Sequence, residues 1–197
     1  SLFSWWGFMD YYSYSYAAVG NRKGMDSDLY ANFRDDDIRK NQFNSILMPT
    51  GKFYYKGAEA NGFRPFSGPQ SNIDSDSHYM RVAEMYLLHA EAAAENGNDA
   101  AARTSLKALL DLRIDDSSYV DALSGKALAE EAALQARLEL FAEGQSYFIM
   151  KRRRETRTRG ANWLDNAGES FSHTDERLTY EIPQEEILFN PNVSDQN

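Results

Sequence analysis

The chain has 197 residues, of which 42% are hydrophobic, and this is enough to build a core in one large domain or two small ones. Its formal charge of -9 argues against a general nucleic-acid binder, because neutralising phosphates requires clustered Lys and Arg in excess. The absence of cysteine excludes disulfides, thiol nucleophiles and thiolate zinc sites. We find neither an apolar run of membrane-spanning length nor the pattern of a secretory signal.

The start of the chain is unusually aromatic and lacks the charged spacing of an amphipathic helix. Its aromatic residues are Phe3, Trp5, Trp6, Phe8, Tyr11, Tyr12, Tyr14 and Tyr16. Such a segment either packs against structure encoded upstream or lines a ligand surface. Because sugars stack their apolar C–H faces on Trp and Tyr rings, part of this segment is predicted to contact a glycan. The candidate ligand contacts are Trp5, Trp6, Tyr11, Tyr12 and Tyr14.

Residues 20–77 are rich in Gly, Pro and Asn, which predicts loops with only short regular elements. A helical turn is predicted over residues 28–33 and a short strand over residues 52–56. Long loops in a compact domain are commonly binding loops held by a scaffold. Tyr54, Tyr55, Arg64 and Phe66 form a second set of candidate ligand contacts.

Helical periodicity begins at His78 and predicts a helical hairpin over residues 79–113. The first helix has an apolar stripe of Met80, Ala83, Leu87, Ala90 and Ala94, widened by Met85, Leu88 and Ala92. Asp76 or Ser77 is its predicted N-cap, and Asn96 with Gly97 ends it. The second helix, capped by Asn98 or Asp99, carries Ala102, Leu106, Leu109, Leu110 and Arg113 on one side. The short connection between them forces antiparallel packing.

The length of this hairpin resembles the tetratricopeptide unit. One unit cannot cover its own apolar face, so a lone copy implies a neighbouring helix or further units outside this chain. A third helix is predicted to follow Ser124 and to run to about Arg154. Its apolar side consists of Leu128, Leu134, Leu138, Phe141 and Phe148.

A basic run follows this third helix and is interpreted as a solvated helix terminus placed against the negative end of the helix dipole. It comprises Lys151, Arg152, Arg153, Arg154, Arg157 and Arg159. In the tail over residues 179–192, Pro183 is predicted to start a helical turn through Glu186 and Ile187. Alternating polar and apolar positions suggest that this tail packs down on the rest of the chain.

Four stretches together resemble the C-terminal part of the SusD/RagB family of outer-membrane nutrient-binding lipoproteins. Residues 80–92, followed by Gly97 and Asn98, are similar to the family's Arg-x-Ala-Glu-x-Tyr-Leu-x-x-Ala-Glu helix and its Gly-Asn turn. Residues 137–145 are similar to Arg-x-Glu-Leu-x-x-Glu-Gly, although Ile149 and Met150 stand where the family often has Asp-Leu. The ending over residues 180–197 resembles the family's Ile-Pro, Glu-Ile, Asn-Pro-Asn and Gln-Asn close. Residues 35–39 resemble its Asp-x-Arg element.

This resemblance implies a mainly α fold: a tetratricopeptide-like hairpin, a further helix and long irregular loops within a SusD-like protein usually more than twice as long. Residues 1–77 would then form the ligand-binding side, and residues 78–197 the hairpin, long helix and tail. The implied function is binding of a nutrient, most simply an oligosaccharide, at the cell surface and its delivery to a SusC-like TonB-dependent transporter. A signal peptide and lipid anchor are expected upstream of Ser1. The alternatives are a tetratricopeptide-type scaffold that binds proteins or peptides, and a RagB-like peptide uptake component.

Catalysis and metal binding have little support in the sequence. The three histidines, His78, His89 and His173, lie in no nucleophile motif, so no catalytic residue and no enzyme activity are predicted. Asn72, Asp74 and Asp76 carry oxygen ligands of the type that calcium prefers, but they lack EF-hand spacing, and N-capping explains them better. The acidic stretch over residues 35–37 is an equally weak ion site. We therefore expect neither a metal nor a cofactor.

Overall fold

A computed structural model describes residues 24–43, 80–141, 143–163 and 165–193. The described part is mainly α-helical, as the sequence predicts. Its helices are α1 (Ser27–Tyr30), α2 (Val82–Glu95), α3 (Asp99–Leu110), α4 (Gly125–Glu139), α5 (Gln145–Arg153) and α6 (Gln184–Phe189). Short 3-10 turns cover Ile38–Gln42, Ser118–Ala122 and Glu176–Leu178. Strands β1 (Thr156–Thr158) and β2 (Ser170–Ser172) form an antiparallel pair in which Arg157 lies opposite Phe171.

The predicted hairpin is present as α2 and α3, joined by three residues. Gly97 takes a left-handed conformation (φ 76°), and the N–H of Asn98 donates to the carbonyl of Ala93 at 2.8 Å, which closes the C-terminus of α2. Asn98 then caps α3, because its side chain accepts a hydrogen bond from the N–H of Ala101. One short segment therefore ends one helix and begins the next, and this fixes the antiparallel arrangement.

The main core lies where α2 packs against both α3 and α4. Ala90 and Ala102 are completely buried, as are the larger Leu106, Leu110 and Leu128. Since alanine adds only a methyl group, the helix backbones can approach closely at the alanine positions while the leucines fill the space between them. Helix α4 is therefore the neighbour that covers the hairpin on one side.

The start of α2 differs from the sequence prediction. Asp76 and Ser77 lie outside the described residues, and α2 begins at Val82 with Arg81 as its N-cap and no side-chain capping bond. Met80, predicted to be in the apolar stripe, is 63% exposed. The predicted widening of the stripe is also wrong, since Met85, Leu88 and Ala92 are exposed. They project away from α3 and α4, so no described element covers them.

The predicted third helix is broken into α4 and α5. The break spans residues 140–144, where Gly144 has φ 82°, a left-handed conformation that disfavours side chains. Leu128 and Leu138 are buried as predicted, whereas Phe148, on the far side of the break, is 63% exposed. The change of direction at Gly144 therefore takes Phe148 off the apolar side to which a continuous helix would assign it.

A smaller cluster attaches the first described segment to α4. Met25, Leu29 and Phe33 are buried together with Leu138, and the helical turn predicted over residues 28–33 is present as α1. Phe43 contacts the Phe141 ring edge-on, with 5.6 Å between ring centroids. The residues before the hairpin thus share a core with the helices after it.

The tail forms its predicted helical turn, and the prediction that it packs down holds for only part of its apolar side chains. Helix α6 follows Pro183, yet Tyr180, Leu188 and Phe189 are 85%, 64% and 81% exposed. The hydroxyl of Tyr147 donates to the carbonyl of Leu178 at 2.7 Å, which ties the start of the tail to α5. Beyond this point Ile182 and Ile187 are half-buried, whereas no described surface covers Leu188 and Phe189.

We expect Ala102→Leu to destabilise the chain by about 1–3 kcal/mol, because a larger side chain at this completely buried position must push α2 and α3 apart. Ala108→Leu is the matched control, since Ala108 is an exposed alanine of the same helix. Urea unfolding measures both free energies. Equal stabilities for the two variants would contradict close packing at Ala102.

Candidate functional site

The most heavily connected group in the described structure is the buried carboxylate of Glu139, whose side chain is 4% exposed. Arg113 donates to it from both Nε and Nη2, each at 3.0 Å. Arg81 Nη1 adds a hydrogen bond at 3.0 Å and Arg39 Nη1 another at 3.3 Å. Three guanidinium groups from different parts of the chain therefore converge on one carboxylate at the end of α4.

Local structure places each arginine. Arg81 precedes α2, Arg113 follows α3, and Arg39 lies in the 3-10 turn, where Asp37 accepts from its Nε and Nη2. The side chains of Arg39 and Asp37 are 3% and 2% exposed, so this ion pair is fully desolvated. The resemblance between residues 35–39 and the Asp-x-Arg element therefore corresponds to a structural ion pair.

The network extends on both sides of Glu139. Arg81 also binds Glu143 through Nε at 3.1 Å and Nη2 at 2.9 Å. Arg39 Nη2 donates to Gln135 Oε1 at 2.7 Å, and Gln135 Nε2 donates to Glu131. A dense network with paired charges and little solvent contact leaves no room for a ligand, so we interpret it as structural.

The arginines keep Glu139 ionised despite its burial. Burial alone would raise the pKa of Glu139, but the hydrogen bonds and charge of Arg113 and the charges of Arg39 and Arg81 outweigh it and lower the pKa to about 2. Glu91 shows the same balance. Burial would raise its pKa, but the hydrogen bonds and charges of Arg152 and Arg153 lower it.

Glu91 also corrects the interpretation of the basic run as a solvated helix terminus. The side chain of Glu91 is only 3% exposed. Arg152 donates to its carboxylate from Nη1 at 2.6 Å and from Nη2 at 2.8 Å, and Arg153 donates from Nη1 at 2.9 Å. Arg153 is itself 12% exposed. Arg152 and Arg153 therefore dock α5 onto α2, because a charge buried in α2 requires cations beside it, whereas Arg154 of the same run is exposed.

An open cleft of about 490 Å³ lies beside this scaffold. The α1 region forms one wall with Asp26, Asp28, Leu29 and Asn32; α4 forms another with Glu130, Ala133, Leu134 and Arg137. Arg153 and the segment from Glu155 to Thr158, which includes β1, form the remaining wall. Its volume lies in the range of small-ligand sites, and its lining mixes apolar, hydroxyl and charged groups.

Arg137 is the unusual group in this cleft. Its Nε is buried without a hydrogen-bond partner, and the same is true of Nε of Arg157. Nη2 of Arg157 forms an ion pair with Glu155 Oε2. Burial, reinforced by the nearby charge of Arg157, lowers the pKa of Arg137 to about 10.

A tryptophan that the sequence analysis did not select lies next to the cleft. Trp163 Nε1 donates to Asp26 Oδ2 at 2.7 Å, and the N–H of Gly160 donates to the same oxygen at 2.7 Å. The indole is 46% exposed, with the Arg159 guanidinium 4.6 Å from its ring centroid. A Cβ at position 160 would lie 2.6 Å from Ser27 Oγ, so only glycine fits there. Trp163 is a fixed, half-exposed ring of the kind on which sugars stack.

All nine ligand contacts predicted from the sequence lie outside the described residues: Trp5, Trp6, Tyr11, Tyr12, Tyr14, Tyr54, Tyr55, Arg64 and Phe66. The structure thus neither brings them together nor separates them. Trp163 was missed because a single tryptophan in a loop has no periodic pattern. A signal was available in Gly160, which precedes it by three residues and marks a close backbone approach.

The described residues contain no cluster of His, Asp and Glu suited to a metal ion. Asp35, Asp36 and Asp37 each pair with a different cation, namely Lys40, Arg34 and Arg39. His89 is exposed, and its Nδ1 lies 2.7 Å from Ser105 Oγ. In the same part of the chain, no helix is long and apolar enough to cross a membrane.

Removal of the Glu139 charge should be strongly destabilising. Glu139→Gln leaves three arginines without their shared counter-charge, and we expect a loss of about 3–5 kcal/mol in the free energy of unfolding. Glu130→Gln is the control, because its pair with Lys126 is exposed at both ends and should change stability by less than about 0.5 kcal/mol. Denaturant titration measures both. Similar losses in the two variants would refute a central role for Glu139.

The lowered pKa of Glu139 also predicts acid sensitivity. Its folded-state value of about 2 lies below the ordinary glutamate value, so its contribution is complete above about pH 4.5 and disappears as the pH falls towards 2. Unfolding free energies measured across this window should therefore decrease more steeply for the native sequence than for Glu139→Gln. Parallel curves would contradict the assigned pKa.

The chain is similar to proteins of a known family. The sequence model of the SusD family matches residues 4–197. A SusD superfamily protein from Bacteroides thetaiotaomicron is similar in structure, with a TM-score of 0.65 and 23% identity over 87% of this chain and 40% of that one. A SusD-like carbohydrate binding protein from Bacteroides vulgatus gives a TM-score of 0.62 and 25% identity over 87% and 41%.

This chain spans only about two fifths of either solved structure. No curated protein matches it. The family match covers almost all of the chain, and it includes the hairpin, the Glu139 helix and the tail in which the resemblance was found. The chain belongs to the SusD family.

Proposed function

We propose that this chain is part of a cell-surface protein that binds an oligosaccharide and delivers it to a SusC-like TonB-dependent transporter in the outer membrane. The observation that carries the proposal is the SusD family match over residues 4–197. A solved relative with 25% identity is described as carbohydrate binding, which supports a glycan as the nutrient. No bond is made or broken in this function. Attachment to the membrane would be through a lipid carried by a part of the protein outside this chain.

The glycan platform would consist of Trp5, Trp6, Tyr11, Tyr12 and Tyr14, supplemented by Tyr54, Tyr55, Arg64 and Phe66. Flat aromatic rings suit the C–H faces of sugars, and neighbouring polar groups fix the orientation of the hydroxyls. Trp163 supports the same function, because Asp26 holds its indole in place while nearly half of its surface stays exposed.

A second function, peptide binding, is favoured by the exposed apolar face of α2. Val82, Met85 and Leu88 are 71%, 42% and 45% exposed on a tetratricopeptide-like hairpin, and grooves between such helices bind extended peptides in scaffold proteins. A RagB-like peptide uptake component would combine this surface with delivery to a transporter.

Calorimetry with panels of neutral oligosaccharides and of peptides distinguishes these functions. We expect saturable oligosaccharide binding that weakens about five- to tenfold in Trp5→Ala or Trp6→Ala, since each change removes one stacking surface. Phe189→Ala is the control, because this exposed aromatic of the tail belongs to neither set of candidate contacts. Binding to peptides but to no oligosaccharide would make the proposed nutrient class wrong. Turnover of any glycoside would contradict the absence of enzyme activity.

A further inference from the structure

We propose that the cleft between α1, α4 and β1 binds an oxyanion, a carboxylate or sulfate group, through the guanidinium groups of Arg137 and Arg157. The ligand class that fits the whole cleft is an acidic sugar, such as a hexuronic acid or a sulfated hexose. The choice of a sugar rests on the function proposed above, whereas the oxyanion site rests on the cleft alone.

Arg137 is the first of the two arginines in the cleft. It lines the cleft from α4, and within the described part of the chain it forms no hydrogen bond or ion pair. Burying the Nε–H of Arg137 without an acceptor is costly, because this donor loses water and gains no hydrogen bond in exchange. The other arginines that contact α4 have a carboxylate partner, since Arg39, Arg81 and Arg113 all donate hydrogen bonds to Glu139. Arg137 is the exception among them.

Arg157 lines the same cleft from β1, and its buried Nε has no hydrogen-bond partner, although Glu155 pairs with its Nη2. The two guanidinium groups are close enough for the charge of Arg157 to disfavour the charged form of Arg137. An anion bound beside both would replace this repulsion with attraction. Because the planar guanidinium presents paired donors, it suits the paired oxygens of carboxylate and sulfate groups.

The carboxylates of the cleft do not supply this missing partner. Asp26 already accepts from the N–H groups of Asp28, Leu29 and Gly160 and from Trp163. Glu155 is held by Arg153 and Arg157, and Glu130 lies beside Lys126. Asp28 is exposed and contacts Ser27. Within the described residues no carboxylate therefore forms a hydrogen bond or ion pair with Arg137, and its donors are available to a ligand.

The remaining lining indicates what the rest of the ligand would be. Leu29, Ala133 and Leu134 offer an apolar surface to a C–H face, while Asn32, Thr156 and Thr158 offer groups that bind hydroxyls. Asp28 and Glu130 line the cleft as acceptors for hydroxyl donors. With Asp26 and Glu155 they make four carboxylates against three arginines in the lining, so a ligand with several negative charges would be repelled. This combination favours a polyhydroxylated ligand with a single anionic group over a polyanion such as nucleic acid.

The test measures binding to the full chain by calorimetry and by thermal shift. The probes are glucuronic acid, galacturonic acid, glucose 6-sulfate, neutral glucose and inorganic sulfate. We expect acidic sugars to bind and to raise the melting temperature, with Kd about ten- to a hundredfold weaker in Arg137→Gln, which loses charge-assisted hydrogen bonds. Arg137→Lys keeps the positive charge but lacks the paired donors of the guanidinium group, and it should show an intermediate loss of affinity. The matched control is Arg154→Gln, which removes an exposed arginine outside the cleft.

Loss of binding through unfolding would be recognised, because Arg137→Gln should melt no lower than the native sequence when no ligand is present. A carboxylate preference would identify uronic acids, and a sulfate preference would identify sulfated sugars. Equal binding of glucose and the acidic sugars would overturn the oxyanion site, as would unchanged Kd in Arg137→Gln or the absence of binding by every anionic probe. Stabilisation by inorganic sulfate alone would overturn the sugar class.

This proposal and the proposed function can fail separately. If neutral oligosaccharides bind in a manner that depends on Trp5 or Trp6 but not on Arg137, the family function stands and the oxyanion site is wrong. If acidic sugars bind through Arg137 while Trp5→Ala and Trp6→Ala have no effect on any glycan, the oxyanion site stands and the aromatic platform is wrong.

Discussion

The buried carboxylate of Glu139 is the interaction on which the described structure depends. It joins Arg39, Arg81 and Arg113, which lie before α2, at its start and after α3. Buried ion pairs add little net stability compared with apolar packing, but an unpaired buried charge is very costly. The network therefore acts mainly as a constraint: any arrangement that separates one arginine from Glu139 leaves an uncompensated charge in the interior. We infer that it fixes how the hairpin, α4 and the first segment are assembled.

A second buried carboxylate applies the same constraint at the far end of α2. Glu91 forms ion pairs with Arg152 and Arg153, which hold the end of α5 against the hairpin. The chain that follows α5 therefore lies at the edge of the cleft. Arg153, Glu155 and Arg157 then line the cleft in sequence along the start of the strand pair. The cleft thus forms where two ion networks position α4 and β1 side by side. Arg137, the arginine of α4 itself, differs from Arg39, Arg81 and Arg113 because its position faces this open space and no acceptor within the described residues pairs with it.

Several apolar side chains of the described structure are exposed. Met80, Val82, Met85 and Leu88 on α2, and Leu188 and Phe189 in the tail, lie on surfaces that no described element covers. Surfaces of this kind commonly mark interfaces. The solved relatives are more than twice as long as this chain, and a tetratricopeptide-like unit gains most of its stability by stacking on neighbours.

The sequence by itself determined the helical hairpin, a cap at Asn98 or Asp99, the turn at Pro183 and the family, because these depend on local spacing and on residues close together in the chain. It did not predict the break at Gly144 or the exposure of Met85 and Phe148, since periodicity shows that a face is apolar but not which element covers it. It also interpreted Arg152 and Arg153 as solvated, although their partner Glu91 lies some sixty residues away in the chain. Only the tertiary structure decided the cleft, the unpaired Arg137 and the fixed Trp163. Each arises where segments that are distant in sequence meet. Their charges and hydrogen bonds are satisfied at Trp163 and left unsatisfied at Arg137.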